Sequence, residues 1–581
     1  MFWRQALRRK PFDRLLAEAE EDRLHRALGP VSLTSLGVGA IIGAGIFAMT
    51  GQVAADDAGP AVVLSFVVAG IACALAALCY AEFAAMAPVA GSAYTYTYAT
   101  LGEMLAWVIG WDLILEYAMS CSVVAAAWTH YLDELLQIGF GVGLPVEWTV
   151  DPFTGAKEGS RVVQTYCNLP AVLIILAVTA VLVKGIRESA FTNALLVVVK
   201  VAVVLFVIAL GVGYVKSENW TSVPPESRKP TVLADYLARH PEVAAKVPAE
   251  AVTPATSGEG FVERYPEAVA GLTPAERAEV AALPSEVRKW GLLGVTGVNR
   301  WLAPVDEAVR GPFFPYGLSG VMVGAAIVFF AYIGFDSIST HAEEAVRPQR
   351  DVPFGILASL GLCTLLYILV SGVITGMEPY PQIDRDAAVA AAFRKQAEAT
   401  GSVLLRGSAG LIALGALAGM TSVLLVTFLS QARIFLAMAR DGLLPRGVFS
   451  ALHPRFRTPH RATILTGLLV ALTAGFTPIE TLAEMVNIGT LMAFAFVCAA
   501  VLVLRIIRPE VRRPFRCPAV YLVAPLGIIV SVTMALFLPL DTWARLAAWL
   551  AAGLTIYFAY GMRHSTLREP SDIEPGSGPG E

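Results

Sequence analysis

GVGAIIGAGIFAMTG, residues Gly37 to Gly51, decides how the rest of the chain reads. Gly37, Gly39, Gly43, Gly45 and Gly51 fall inside an apolar stretch, where a membrane helix should be most regular. Each glycine in a helix interior costs about 1 kcal/mol relative to alanine. Lipid makes a break worse, because the freed N–H and C=O groups find no water there. Such a stretch persists only where something uses those groups. A small zwitterion in a cavity does so: its carboxylate takes N–H groups and its ammonium takes C=O groups. The stretch points first to a transporter.

Composition agrees. Hydrophobic residues make up 56% of 581 residues and charged residues only 15%, against about 25% charged in soluble domains. The excess lies in runs near the roughly 20 residues that span a bilayer. Twelve are counted, at roughly 32–54, 61–86, 94–135, 169–184, 190–215, 317–345, 353–376, 408–438, 461–476, 481–504, 520–538 and 543–561. The third is too long for a simple span and is expected to tilt or to extend beyond the bilayer. The predicted fold class is an all-α membrane protein with twelve transmembrane helices.

The N-terminal MFWRQALRRKPFDRLL is basic and amphipathic. No apolar h-region with a cleavage site follows closely, so a retained surface helix is expected rather than a signal peptide. With the N-terminus inside, arginines such as Arg347, Arg350, Arg440, Arg446, Arg505 and Arg512 fall in cytosolic turns. That satisfies the positive-inside rule, and the even span count returns the C-terminus to the cytosol. The expected location is the inner cell membrane. A net charge of −4 suggests no nucleic-acid partner. The seven cysteines are scattered, without a metal-ligand spacing.

The spans divide into two sets of five and a final pair. The predicted units are a cytosolic segment at 1–30, a first repeat at 31–216 and an extracytoplasmic insertion at 217–316. A second repeat at 317–505, two further helices at 506–562 and a disordered cytosolic tail at 563–581 follow. The insertion reads as a variable surface element, or as an external lid or docking surface for an unidentified partner. Within it, Pro274 to Trp290 suits an amphipathic helix opened by threonine and proline. The sixth span mirrors the first: FFAYIGFDS, Phe329 to Ser337, carries Gly334 and Asp336 at its middle. Spans 1–5 and 6–10 thus read as inverted repeats, each opening on a broken helix, the pattern that locates a transporter's substrate site. Close helix packing of the GxxxG kind explains Gly39–Gly43 alone, but not two interruptions at matching places.

Depth supports one site. Counted from their entry points, Ile41, Phe330 and Lys200 lie about 14, 20 and 16 Å into the membrane at 1.5 Å per residue. All three fall near the middle of a hydrocarbon core about 30 Å thick. Lys200 stands in NALLVVVKVAVVLFVIAL with no acid nearby in sequence. A buried amine at that depth suits proton coupling; a structural lysine paired elsewhere is the other reading. Asp112 and Glu116, four residues apart on one helix face, are candidates to hydrogen-bond in the core or to tune a neighbour's protonation. The run His341 to Pro353 suits either an inner gate of ion pairs or a solvated loop. No nucleotide-binding loop and no catalytic or metal constellation appears. The chain is therefore read as neither an ATP-driven pump nor an enzyme, with no metal and no cofactor.

Three runs carry a family resemblance: Gly37 to Gly51, Phe329 to Ile356, and GMTSVLLVTFLSQARIFLAMARDGLLP from Gly419 to Pro445. They resemble the amino acid–polyamine–organocation superfamily, and within it the bacterial proton-coupled members of the cationic amino acid transporter family. The resemblance covers about 30 to 560 and fails around 222 to 311, where the family has a short turn. It implies a 5+5 inverted-repeat fold plus two helices, with an amino acid bound between spans 1 and 6. Carried onto this chain, the substrate carboxylate would meet N–H groups at Ala44 and Gly45. The ammonium would meet carbonyls at Ile41, Phe330, Ala331 and Ile333, with Phe330 also an aromatic gate. Met420 would line the pocket and favour small neutral substrates over cationic ones. Lys200 matches the lysine that stands in for sodium, which implies proton coupling; Glu116, by its place in span 3, is read as a second participant. The resulting expectation is a proton-coupled symporter of small neutral or cationic L-amino acids. An exchanger without proton flux, or a membrane sensor or complex subunit, is the alternative.

Overall fold

A computed structural model describes residues 6–11, 28–88, 91–154, 156–158, 161–184, 190–224, 228–248, 252–253, 255–456 and 458–567. Most of the predicted N-terminal surface helix and residues 568–581 of the C-terminal tail lie outside them. The tail's first residues, expected to be disordered, are held to the body, Thr566 N–H donating to Asp441 O at 3.0 Å. The main helices, numbered in chain order, are α1 Pro30–Ile41, α2 Val62–Met86, α3 Glu103–Phe140, α4 Leu169–Lys184, α5 Ala190–Gly211 and α6 Gly317–Val328. They continue with α7 Pro348–Met377, α8 Val403–Arg440, α9 His460–Phe476, α10 Ile479–Ile507, α11 Val520–Leu536 and α12 Leu540–Ile556.

By length and apolar content, seven helical stretches among the described residues suffice to cross a membrane. They are Gly45–Met86, Glu103–Phe140, Val197–Tyr214, Gly317–Thr340, Pro348–Met377, Val403–Arg440 and Ile479–Ile507. Counting the bent pair α11 and α12, which meet at 113°, gives eight. Helices α1, α4 and α9 are apolar but shorter, at 12, 16 and 17 residues. At 1.5 Å per residue each falls short of a 30 Å core on its own. The molecule is a multi-pass helical membrane protein.

The run expected at 94–135 is not one helix. A separate helix, Ser92–Thr100, precedes α3. The N-terminal segment docks at that break: the Glu103 N–H donates to Arg8 O at 2.9 Å, and the Lys10 N–H to Tyr98 O at 3.1 Å. At 38 residues, α3 spans about 57 Å, so it projects well past a bilayer. The chain departs from all-α at one described place: β1 Ala156–Glu158 and β2 Arg161–Val163 form an antiparallel hairpin between α3 and α4.

Helix α3 packs along α8 and α10, α2 along α7, and α1 against α5 and α7. One continuous apolar core runs through these contacts. The insertion has a core of its own, built on Leu233, Phe261, Val269 and Val280. Its helix Pro274–Ala281 begins where the sequence indicates, with Thr273 and Glu276 forming a capping box. It stops earlier than Trp290, because Pro284 cannot continue it; Glu286–Lys289 is a separate turn. The insertion sits on the face where α11 meets α12: Leu292 N–H donates to Leu538 O at 3.2 Å, and the Trp290 and Phe537 rings lie 6.1 Å apart.

Candidate functional site

Two helices are interrupted where the sequence places the breaks. Helix α1 ends at Ile41; Ile42 leaves it with ψ 102°, and the chain resumes as a widened helical turn over Gly45–Met49. Helix α6 ends at Val328, tightens over Phe329–Tyr332, extends at Ile333 with ψ 137° and restarts at Ser337. The two breaks dock on each other reciprocally. A Cβ on Gly45 would lie 2.2 Å from Ala331 Cα, and a Cβ on Gly334 would lie 2.9 Å from the Ala40 carbonyl. Gly334 also has φ +114°, a conformation that only glycine adopts readily. Glycine stands at both positions because backbone meets backbone there.

Between the breaks lies a cavity of about 10 Å³, room for about one water molecule. Of the seven residues expected at a substrate site, Ile41, Ala44, Gly45, Phe330 and Ile333 line it. Ala331 instead backs onto Gly45. Met420 is fully buried in α8 outside the lining; Val423 and Thr427, on the next two turns, line the cavity. Helix α3 contributes Tyr117, Ser120 and Val124, which sequence reasoning did not single out. No charged side chain lines the cavity.

A tyrosine that sequence reasoning missed clasps both breaks. The Tyr367 hydroxyl on α7 donates toward Ile41 O at 2.8 Å and Ala331 O at 2.9 Å. One hydroxyl proton is shared between two carbonyls, so each keeps acceptor capacity. The available signal was a lone tyrosine in an apolar run, CTLLYILV.

Lys200 is buried on α5, and its ammonium donates to Gly39 O on α1 at 2.7 Å. Its stem passes Gly419 on α8, where a Cβ would stand 3.5 Å from Lys200 Cγ. One amine therefore links α5 to the broken α1 beside α8. Glu116 belongs to the other break. It is buried on α3 near Asp336, and its Oε1 has no hydrogen-bond partner. Asp336 accepts from the Tyr117 hydroxyl at 2.5 Å, and Tyr117 lines the cavity. Asp112, one turn before Glu116, has both oxygens unpartnered. Lys200 thus bonds to the first interrupted helix, whereas Glu116 only neighbours Asp336 of the second.

Ion pairs close both ends. On the insertion face, Asp56 meets Arg385 at 2.7 Å and the insertion's Lys229 at 3.3 Å. These groups border a larger cavity of about 530 Å³, roofed partly by the insertion's Glu259, Glu279 and Arg288. On the opposite face, Arg433 on α8 pairs with Glu344 at 2.7 Å, within the run read as an inner gate or a solvated loop. Nearby, buried Lys10 meets Asp441 at 2.7 Å, and Asp441 also accepts from Tyr94 at 2.7 Å.

Two docked breaks, a small cavity between them and a lysine bonded to the first interrupted helix are what the chain's own geometry offers. A family model described as amino acid permease matches residues 28–245 and 291–558. The chain belongs to the amino acid permease family. It is thereby a member of the amino acid–polyamine–organocation superfamily, a transporter and not an enzyme. This permease is 38% identical over 562 residues to the methylthioribose transporter of Bacillus subtilis, covering 97% of this chain and 99% of that protein. It is 38% identical over 557 residues to the branched-chain amino acid permease BcaP of Bacillus subtilis, covering 96% and 97%. It is 36% identical over 507 residues to the vacuolar cationic amino acid transporter 2 of Arabidopsis thaliana, covering 87% of this chain and 64% of that one. The family model skips 246–290, which lies within the insertion.

Proposed function

We propose that this permease is a secondary active symporter that imports small neutral L-amino acids with protons, by alternating access. In this reading twelve helices form two inverted repeats of five, followed by α11 and α12. Both termini face the cytosol, the membrane is the inner cell membrane and the insertion is extracytoplasmic. The coupling ion is the proton, without sodium and without another cofactor.

The observation that carries the substrate class is the uncharged lining of the central cavity. An amino acid's own charges would be met by backbone: its carboxylate by N–H groups at Ala44 and Gly45, its ammonium by carbonyls at Ile41, Phe330, Ala331 and Ile333. Nothing in the lining would pair with a lysine or arginine side chain, and leaving such a charge unpaired is costly. Val124, Val423, Ile333 and Phe330 suit a branched aliphatic side chain instead. The relative named for branched-chain amino acids fits that preference better than the plant relative named for cationic amino acids. A cavity of about 10 Å³ cannot hold an amino acid, so the breaks must separate for substrate to enter.

Lys200 supplies the coupling. Protonated, it holds the Gly39 carbonyl and keeps α1, α5 and α8 together in the substrate-competent arrangement. Losing the proton toward the cytosol releases α1 and then the substrate. Glu116, beside Asp336, extends this control to α6 through Tyr117. The test is leucine and valine uptake into proteoliposomes with an acidic exterior. Uptake should follow the pH gradient, ignore sodium and collapse with a protonophore. Lys200→Ala should abolish gradient-driven uptake; full retention of it rejects the coupling role. Counterflow that proceeds equally well without a gradient favours the exchanger.

A further inference from the structure

The helix Asn299–Val309, in the insertion just before α6, is amphipathic in an unusual sense. Its buried residues are polar, Asn299 and Asp306. Its exposed face is apolar: Val298, Trp301, Leu302 and Val305 all stand out from the protein, Trp301 with 86% of its surface free. The spacing of those four, i, i+3, i+4 and i+7, is one continuous stripe along a helix. The charged Arg300 and Glu307 are exposed on the opposite side of the helix. The protein covers the polar side and leaves the apolar side bare.

The anchors, on the flank of the helix that carries Asn299 and Asp306, fix where the stripe stands. Asp306 accepts the Ser319 N–H at 2.6 Å, within the first turn of α6. At the other end, Gly291 and Leu292 pack on Phe537 and Leu538, in the bend between α11 and α12. The segment is therefore tied at both ends to the rim of the membrane-crossing bundle, where apolar helices begin or end. Leu318 and Leu540, the first turns beyond those anchors, are exposed and belong to the outward surface of those helices. Trp301 heads the stripe, and indole rings are the side chains that settle at membrane–water interfaces.

We propose that Asn299–Val309 lies in the lipid–water interface, with the face formed by Val298, Trp301, Leu302 and Val305 seated among acyl chains and Arg300 at the headgroups. The partner of this surface is the bilayer itself. The helix anchors the insertion, with its separate core, to the leaflet beside the transport bundle.

The test uses the full-length protein in phosphatidylcholine liposomes, with Cys167→Ser removing the half-exposed cysteine; the other six are buried. A nitroxide is placed in turn at 298, 301, 302 and 305, and at 300 and 307. Collision rates with oxygen, which enriches in lipid, and with a water-soluble nickel chelate are then compared. The oxygen-to-nickel ratio should be several-fold higher at the first four positions than at 300 and 307. A second measurement, quenching by brominated lipids, should weaken in Trp301→Phe relative to the parent. Nickel access at all six positions overturns the proposal in favour of a solvated helix. Protection from both reagents at the first four overturns it in favour of a protein partner.

Discussion

Gly45→Ala tests whether the contact between the two breaks is as close as the site requires. The added Cβ would stand 2.2 Å from Ala331 Cα, 2.4 Å from its Cβ and 2.9 Å from its N. Non-bonded carbons settle near 3.5–4.0 Å, so the breaks must part by about 1.3 Å or more. The nearest atom is main chain, and no rotamer change relieves it. Overpacking of this kind costs about 1–3 kcal/mol, which at about 1.4 kcal/mol per decade moves a conformational equilibrium by up to roughly a hundredfold. The closed arrangement should be depopulated, and leucine uptake into proteoliposomes should fall by about fivefold to a hundredfold on the same arithmetic, while the protein still purifies as a single species. Ala331→Gly added to it should not restore uptake, because Cα remains. Gly43→Ala provides the contrast: its Cβ would meet Val423 Cγ2 at 2.8 Å, a side-chain tip, and Val423→Ala should rescue it. Wild-type uptake and melting temperature in Gly45→Ala would refute the close docking of α1 on α6.

Tyr367→Phe removes the hydroxyl that Ile41 O and Ala331 O share, and leaving buried carbonyls short of a donor costs about 1–3 kcal/mol; the melting temperature and uptake rate in detergent and liposome assays should both drop. Lys10→Ala should lower the melting temperature sharply, since stripping a buried ion of its partner costs about 3–5 kcal/mol, with Tyr94 holding the loss toward the lower end. Lys289, in the insertion, is pushed down to about 8 by burial, and its ammonium has no hydrogen-bond partner. Between that value and the ordinary lysine range the unfolded chain binds the extra proton and the folded one does not, so the group makes stability rise with pH from about 8 upward and penalises folding below it. Lys289→Met should therefore raise the melting temperature at pH 7 and flatten its alkaline rise.

The breaks and the buried lysine were legible because each violates a local rule. Glycines inside an apolar span and an unpaired lysine at mid-depth are costly unless used, so they announce themselves. Tyr367 violates nothing: a tyrosine in an apolar helix is ordinary, and only the fold brings its hydroxyl to Ile41 and Ala331. The face of α8 was equally hidden. Met420, Val423 and Thr427 sit three and four residues apart, and no charge or glycine marks which of them turns to the cavity. The Lys10–Asp441 pair joins residues 431 apart in sequence, beyond the reach of any periodic pattern. The insertion's separate core was masked by its proline- and glutamate-rich text, which resembles a plain surface loop until Leu233, Phe261 and Val280 meet.

The two ends of the molecule are closed by ion pairs of unequal strength, and this inequality bears on which end yields first. Arg385 is 60% exposed where it meets Asp56, so water replaces the contact readily and the pair contributes about 0.2–1 kcal/mol. Lys229 adds a second weak tie to the same carboxylate. On the opposite face Lys10 and Asp441 are only 5% and 8% exposed, and parting them strands both charges away from water. Arg433 and Glu344 lie between these extremes, at 22% and 25%. The Asp56 ties therefore part more easily than Lys10–Asp441, while Arg394–Glu134, at 2.6 Å with Glu134 only 7% exposed, is the firmer tie on the insertion side. The central clasp, Tyr367 across both breaks with Lys200 on Gly39, belongs to neither end. In the proposed import reading, a substrate entering beneath the insertion would compete for the Ile41 and Ala331 carbonyls while the buried Lys10–Asp441 pair still seals the far side.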